Sequence, residues 1–181
     1  SGKNFLLKNK NFGIIGFGDL ANSLLPLIKP FANNILAYDP WVPSFMLKKK
    51  NVLSVNLKDL LKNSDIIYIL ASITSSNVGM IDSAKLKLLK SGAAFILMSR
   101  AAIVNFKDLY KFLKKKKNFA AIDVFPVEPF PKNDPFRKLD NVIFSPHRAG
   151  ALDIVFKEMG EIVLQDIYLI MKNLPPRLCK K

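Results

Sequence analysis

Short apolar runs alternate with amphipathic stretches along almost all of this chain, and that alternation restricts its fold more than any other feature. Residues 12–16, 35–38, 66–70, 95–98, 119–124 and 142–144 read as strands, most of them apolar on both faces. Residues 19–28, 57–62, 82–90, 106–115 and 151–172 read as helices. Lys29-Pro30 closes the first helix, Ser91-Gly92 stops the third, and Asn173 with Pro175-Pro176 ends the last. Residues 126–141, rich in proline and charge, read as a long surface loop. Strands that are apolar on both faces need cover on both faces, and helices between them supply it. Right-handed crossovers then give an α/β fold with a doubly wound parallel sheet. The length fits one domain with a real core, spanning residues 1–181.

The turn after the first strand is Gly16-Phe17-Gly18-Asp19-Leu20-Ala21, a G-x-G-x-x-A placed between a strand and a helix. Its glycines permit a tight turn and a close approach of the backbone to a ligand. The free N–H groups of the helix start suit a pyrophosphate. Asp39, at the end of the second strand, is positioned to hold both ribose hydroxyls of NAD and to repel a 2′-phosphate. Together these form an NAD(P)-binding Rossmann signature. Asp19 sets a carboxylate close to where the pyrophosphate belongs.

Three further ionisable residues each follow an apolar run: Arg100, Glu128 and His147, the last being the single histidine of the chain. In open parallel sheets the C-terminal strand ends are where ligands bind. An imidazole gives and takes a proton near neutrality. A neighbouring carboxylate favours its protonated form. An arginine grips a substrate carboxylate through two parallel bonds and steadies a developing oxyanion. Arg100, Glu128 and His147 are therefore the candidate catalytic set, and no metal site is expected.

The formal charge is +14. Lysine dominates it, since Arg100, Arg137, Arg148 and Arg177 are the arginines. Arginine supplies the bidentate fork used on bases and phosphates, whereas lysine is a point charge. The clusters Lys48 to Lys50, Lys85/Lys87/Lys90 and Lys114 to Lys117 lie at helix ends or on solvent faces. The composition is read as a solvated lysine surface that also draws in anionic small molecules, with nucleic acid not the expected partner. No apolar run approaches the roughly 20 residues of a membrane span. Cys179 is the one cysteine and fits a reducing, cytoplasmic setting. The opening Ser1-Gly2 reads as a processing scar or an internal boundary of a longer protein.

The stretches 13–18 (Gly-Ile-Ile-Gly-Phe-Gly), 37–40 (Ala-Tyr-Asp-Pro), 92–104 around Arg100, 123–129 (Asp-Val-Phe-Pro-Val-Glu-Pro) and 141–150 (Asn-Val-Ile-Phe-Ser-Pro-His-Arg-Ala-Gly) carry a resemblance. The chain resembles the cofactor-binding domain of the D-isomer-specific 2-hydroxyacid dehydrogenases over essentially its whole length. The resemblance implies NAD-dependent exchange between a small D-2-hydroxy acid and its 2-keto acid. It makes His147 the acid/base, Glu128 its partner and Arg100 the carboxylate anchor. The cofactor contacts it implies are Gly16, Gly18, Asp19, Leu20, Asp39, Ser72, Ile73, Met98, Ser99, Arg100, Asp123, His147 and Gly150, with Asp123 toward the nicotinamide amide. The sequence departs from the family pattern at Asp19, Ala21, Ser72, Leu97 and Ala101. The substrate domain that precedes this region in the family is expected to be missing, so the domain alone should turn over poorly. Family members pair through their cofactor domains, and Phe125, Phe130 and Phe136 look surplus to one sheet face, so a homodimer is expected. The same fold resembles NAD-sensing transcriptional corepressors, which keeps a non-enzymatic dimerisation scaffold as an alternative.

Overall fold

A computed structural model describes residues 6–115 and 117–177. They form two compact units, one ending at Pro146 and one beginning at His147. The first unit is a seven-stranded, wholly parallel sheet. Its strands are β1 (Lys10–Ile15), β2 (Ala32–Tyr38), β3 (Leu53–Ser54), β4 (Ile66–Ile69), β5 (Ala94–Leu97), β6 (Phe119–Ile122) and β7 (Val142–Phe144). In space they run β3-β2-β1-β4-β5-β6-β7. The order reverses direction between β1 and β4, which makes their C-terminal ends the switch point of the sheet.

Helices α1 (Asp19–Ile28), α2 (Ser44–Lys49), α3 (Leu57–Asn63), α4 (Ser83–Leu86) and α5 (Phe106–Leu113) connect the strands. They cover both faces. Alternate residues of β1 point to opposite sides. Phe12 and Ile14 pack in the layer that holds Ala21, Leu25 and Ile28 of α1 and Leu47 of α2. Ile15 packs in the layer that holds Leu60 and Leu61 of α3 and Leu109 and Leu113 of α5. Asn56 and Asn105 start α3 and α5 by accepting from the amides of Asp59 and Asp108, at 2.8 and 3.2 Å.

The doubly wound parallel sheet agrees with the sequence reading. Several details differ. β3 and α2 were not expected. Their sequences are too short for a visible period, and Leu47 is the one fully buried anchor of α2. The expected helix over 82–90 is regular only at α4, because Leu86 and Leu89 turn into the core through 3₁₀-type bonds such as Leu89 N to Leu86 O. The loop 126–141 contains a 3₁₀ turn at Pro135–Lys138 and buries Phe136 and Leu139. Phe125 and Phe136 are not surplus: both are buried, and Phe125 stacks on Phe130 with ring centroids 3.9 Å apart. The aromatic argument for a dimer therefore does not stand, since these rings complete the chain's own core. Cys179 lies outside the described residues.

The second unit contains α6 (Asp153–Met171), where the sequence places its long helix. None of its residues is buried, and Phe156, Met159, Leu164 and Met171 are among its exposed apolar side chains. Among the described residues no helix is long and apolar enough to cross a membrane.

Candidate functional site

Gly16 stands at the end of β1 with φ +86°, and its amide donates to Tyr38 O at 3.0 Å. A Cβ there would lie 2.3 Å from Ala71 Cα, on the loop after β4. Only glycine lets β1 and that loop meet so closely. Gly18 precedes α1 as its N-cap, and no side chain caps the helix. A Cβ on Gly18 would meet nothing within 4 Å, so the space beside the first turn of α1 is open. The two glycines thus act differently: one joins the strands, the other leaves room.

Asp39, one residue past β2, ties the neighbouring turns together. Its Oδ2 accepts from the Phe17 amide at 2.7 Å and its Oδ1 from the Trp41 amide at 2.8 Å. Two backbone amides therefore fix the carboxylate in orientation. Each oxygen keeps a second lone pair. Asp39, Gly16, Gly18 and Ser72 line one cavity of about 470 Å³ at the switch point. That volume lies in the ordinary range for a small-molecule site. An open space at a helix start, a glycine turn and an oriented carboxylate fit an adenosine diphosphate moiety, and so fit NAD.

Sequence reasoning missed part of this cavity. Trp41, Thr74, Ser76, Asn77 and Met80 also line it. Trp41 is 79% exposed, a wall without cover of its own. Asn77 closes the loop after β4 by accepting from the Thr74 amide at 2.9 Å and donating to Ser72 O at 2.8 Å. The polar run Thr74-Ser-Ser-Asn77, a few residues past a buried strand, was the available signal.

Of the other expected residues, Ile73 follows β4, Met98, Ser99 and Arg100 follow β5, and Asp123 and Glu128 follow β6, past the C-terminal ends of those strands. Asp19 and Leu20 open α1, and Leu20 is exposed. Ile73 and Met98 are partly exposed beyond β4 and β5. Ser99 is buried, and its hydroxyl has no hydrogen-bond partner among the described residues. Arg100 is exposed, and its Nη1 donates to Ser99 O at 2.8 Å. Asp123 is buried past β6, and its amide donates to Leu97 O at 3.0 Å. Glu128 is exposed, and its Oε1 accepts from the Phe125 amide at 2.9 Å, closing the turn over Pro126 and Val127. His147 and Gly150 belong to the second unit, where His147 is exposed with φ +56°. Only Gly16, Gly18, Asp39 and Ser72 of the expected set share the cavity.

Comparison with known proteins places this geometry. Residues 2–149 match the family described as D-isomer specific 2-hydroxyacid dehydrogenase, NAD binding domain. The chain is 32% identical over 173 residues to D-3-phosphoglycerate dehydrogenase of Methanocaldococcus jannaschii, covering 94% of this chain and 33% of that protein. It is 33% identical over 171 residues to glyoxylate reductase of Korarchaeum cryptofilum, covering 93% of this chain and 52% of that protein. The crystal structure of a phosphoglycerate oxidoreductase from Rhizobium etli superposes with a TM-score of 0.83 at 40% identity, covering 95% of this chain and 55% of that one. The chain thus spans between a third and about half the length of these relatives. With the glycine turn and the Asp39 cradle at the switch point, the chain belongs to the D-isomer specific 2-hydroxyacid dehydrogenases, and residues 2–149 are their NAD-binding domain.

Proposed function

We propose that the chain is the cofactor-binding part of an oxidoreductase that interconverts a small 2-keto acid and its D-2-hydroxy acid. The observation that carries this reading is the cradle around Asp39, whose fixed carboxylate and adjacent glycine turn suit NAD rather than NADP. When bound, the nicotinamide supplies or accepts the hydride. The chain's own residues handle the proton and the carboxylate. His147 donates a proton to the ketone oxygen, and in the reverse direction removes the hydroxyl proton. Glu128 serves as the partner of His147. Arg100 holds the substrate carboxylate through its guanidinium fork. Asp19, Leu20, Ser72, Ile73, Met98, Ser99, Asp123 and Gly150 complete the cofactor contacts. Residues 1–181 act as one cofactor domain, pairing with a second copy in a reducing, cytoplasmic setting, and substrate selection lies in a further domain.

Fluorescence titration tests the cofactor half of the proposal. NADH should quench the single Trp41 and bind more tightly than NADPH. Equal or tighter NADPH binding would remove Asp39 from the ribose. The catalytic half is tested in a longer natural form that includes the substrate domain. There His147→Asn should lower turnover by about 10²–10⁴ while leaving NADH affinity nearly unchanged. Near-normal turnover would show that His147 is not the acid/base.

A further inference from the structure

The lysines that look scattered in the sequence are gathered by the topology. In a parallel sheet all strand starts lie on one edge, opposite the cofactor cavity. Going across the sheet from β3 to β6, each strand is led in by lysine. Lys48, Lys49 and Lys50 precede β3, and Lys114, Lys115 and Lys117 precede β6; all six are exposed. Between them Lys29 leads into β2, Lys10 opens β1, Lys62 ends α3 before β4, and Lys90 precedes β5. Five strand spacings make this row about 24 Å long. The carboxylate in these lead-ins is Asp65, which is paired with Lys90 at 3.0 Å. Lysine in the last turn of a helix answers the helix dipole, and that accounts for Lys48, Lys49 and Lys62. It does not account for Lys10, which no helix precedes among the described residues, or for Lys117, which lies beyond α5.

A groove of about 500 Å³ lies on this edge, where β2 and β3 begin. Lys29 and Lys48 line it, together with Asn33, Asn34 and Asn51. Asn33 and Asn34 each donate one amide hydrogen to Asn11 Oδ1, at 3.2 and 3.1 Å. A side-chain amide has two such hydrogens, so each keeps a donor. Ammonium groups beside amide donors are what phosphate and sugar oxygens take.

We propose that this edge binds the sugar-phosphate backbone of nucleic acid, with the Lys29–Lys48 groove, at the β3–β2 end of the row, as its principal seat. A cationic row of this length matches an extended polyanion, since duplex DNA carries one charge per about 1.7 Å of axis. Arginine forks are absent from the row, so the face grips phosphates without reading bases. A lipid surface fits less well, because the exposed asparagine amides that line the groove gain nothing from an acyl layer.

The test uses the 181-residue chain and a fluorescein-labelled 20-base-pair duplex DNA of mixed sequence, followed by anisotropy across a salt series. Binding should weaken linearly on a log–log plot, with a slope of about −0.9 for each phosphate engaged. The triple variant Lys29→Glu, Lys48→Glu, Lys50→Glu should weaken binding at least about tenfold and reduce the slope by about one for each lysine that contacts phosphate. A control triple, Lys58→Glu, Lys107→Glu, Lys132→Glu, makes the same charge change away from this edge and should leave affinity within about twofold of the parent. If the glutamate triple is unfolded by circular dichroism, the glutamine triple at the same three positions is read instead and should also lower the slope. The proposal is overturned by no binding at low salt, by equal losses from the two triples, or by tighter binding to phosphatidylserine vesicles than to the duplex.

Discussion

Asp39 and Asp65 clamp opposite edges of one sheet by the same means, yet their surroundings differ. Asp39 lies past the end of β2 and accepts from the Phe17 and Trp41 amides. Asp65 lies before β4 and accepts from the Asn11 amide at 2.9 Å, while its own carbonyl accepts from the Ala94 amide at 2.9 Å. Each aspartate thereby joins segments distant in sequence. Asp65 has an ammonium partner, Lys90, and lies among lysines. Among the described residues the hydrogen-bond partners of Asp39 are backbone amides, and its carboxylate lines a cavity. One edge therefore uses its carboxylate for structure, and the other holds a carboxylate in place beside a cavity.

The glycines at the two edges repeat this contrast, and they give the largest expected effect. Gly16 and Gly92 have nearly the same conformation, with φ +86° and +84°. A Cβ at Gly92 meets nothing within 4 Å, whereas one at Gly16 lies 2.3 Å from Ala71 Cα. Gly92→Ala should cost about 1–2 kcal/mol, the ordinary penalty for a side chain in left-handed backbone. Gly16→Ala adds an overpacking cost against backbone, for a total of about 3 kcal/mol or more. Urea unfolding of the two variants measures the difference. Equal losses would mean that β1 and the loop after β4 can separate freely, and the close approach at the cofactor edge would lose its meaning. NADH binding should be lost in Gly16→Ala and kept in Gly92→Ala.

Asp39→Asn comes next. An asparagine carbonyl can still accept one of the two amides, so stability should change little. On the proposed reading the charged acceptor for the ribose is lost, and a hydrogen bond to a charged group contributes about 1.5–3 kcal/mol. NADH affinity should fall about tenfold or more, and the gap between NADH and NADPH should narrow. Titration of both cofactors into parent and variant checks this. An unchanged NADH affinity together with a lower unfolding midpoint would make Asp39 a structural clamp like Asp65, and the contrast between the edges would collapse.

The cofactor edge was more legible in the sequence than its opposite. Gly16, Gly18 and Asp39 form a local pattern in which each residue type has a stereochemical reason, so strand, turn and helix could be read together. Trp41 and Asn77 were missed because their part in the cavity depends on where a loop folds, and no periodicity encodes that. The 3₁₀ turn at Pro135–Lys138 hid inside a polar, proline-rich stretch, although Phe136 is buried against Phe106 and Tyr110. The lysine edge was illegible for a different reason. Lys29, Lys48 and Lys117 are far apart in the chain, and the strand order β3-β2-β1-β4-β5-β6 sets them in one row. Charge composition counts such residues but does not locate them.

The smallest expected effect belongs to Asp65. Burial acts to raise its carboxyl pKa, but the Asn11 amide and the Lys90 ammonium outweigh it, and the group is held below its ordinary value of 3.8. A carboxylate with a lowered folded pKa contributes stability that is fully present above the unfolded value. That contribution fades as pH falls below about 4 toward the folded pKa. Asp65→Asn keeps a carbonyl for the Asn11 amide and loses the pairing with Lys90. The pair is partly exposed, with side chains 29% and 37% accessible, so the loss at neutral pH should be only about 1 kcal/mol. Urea unfolding of parent and variant at neutral pH and at stepwise lower pH tests the assignment. The two curves should converge on acidification, because protonation removes from the parent what the substitution removed from the variant. A gap that stays constant to pH 2 would mean that Asp65 acts through hydrogen-bond geometry alone. Lys90 would then have no part in holding β1, β4 and β5 together, and its charge would be left to face solvent or a ligand.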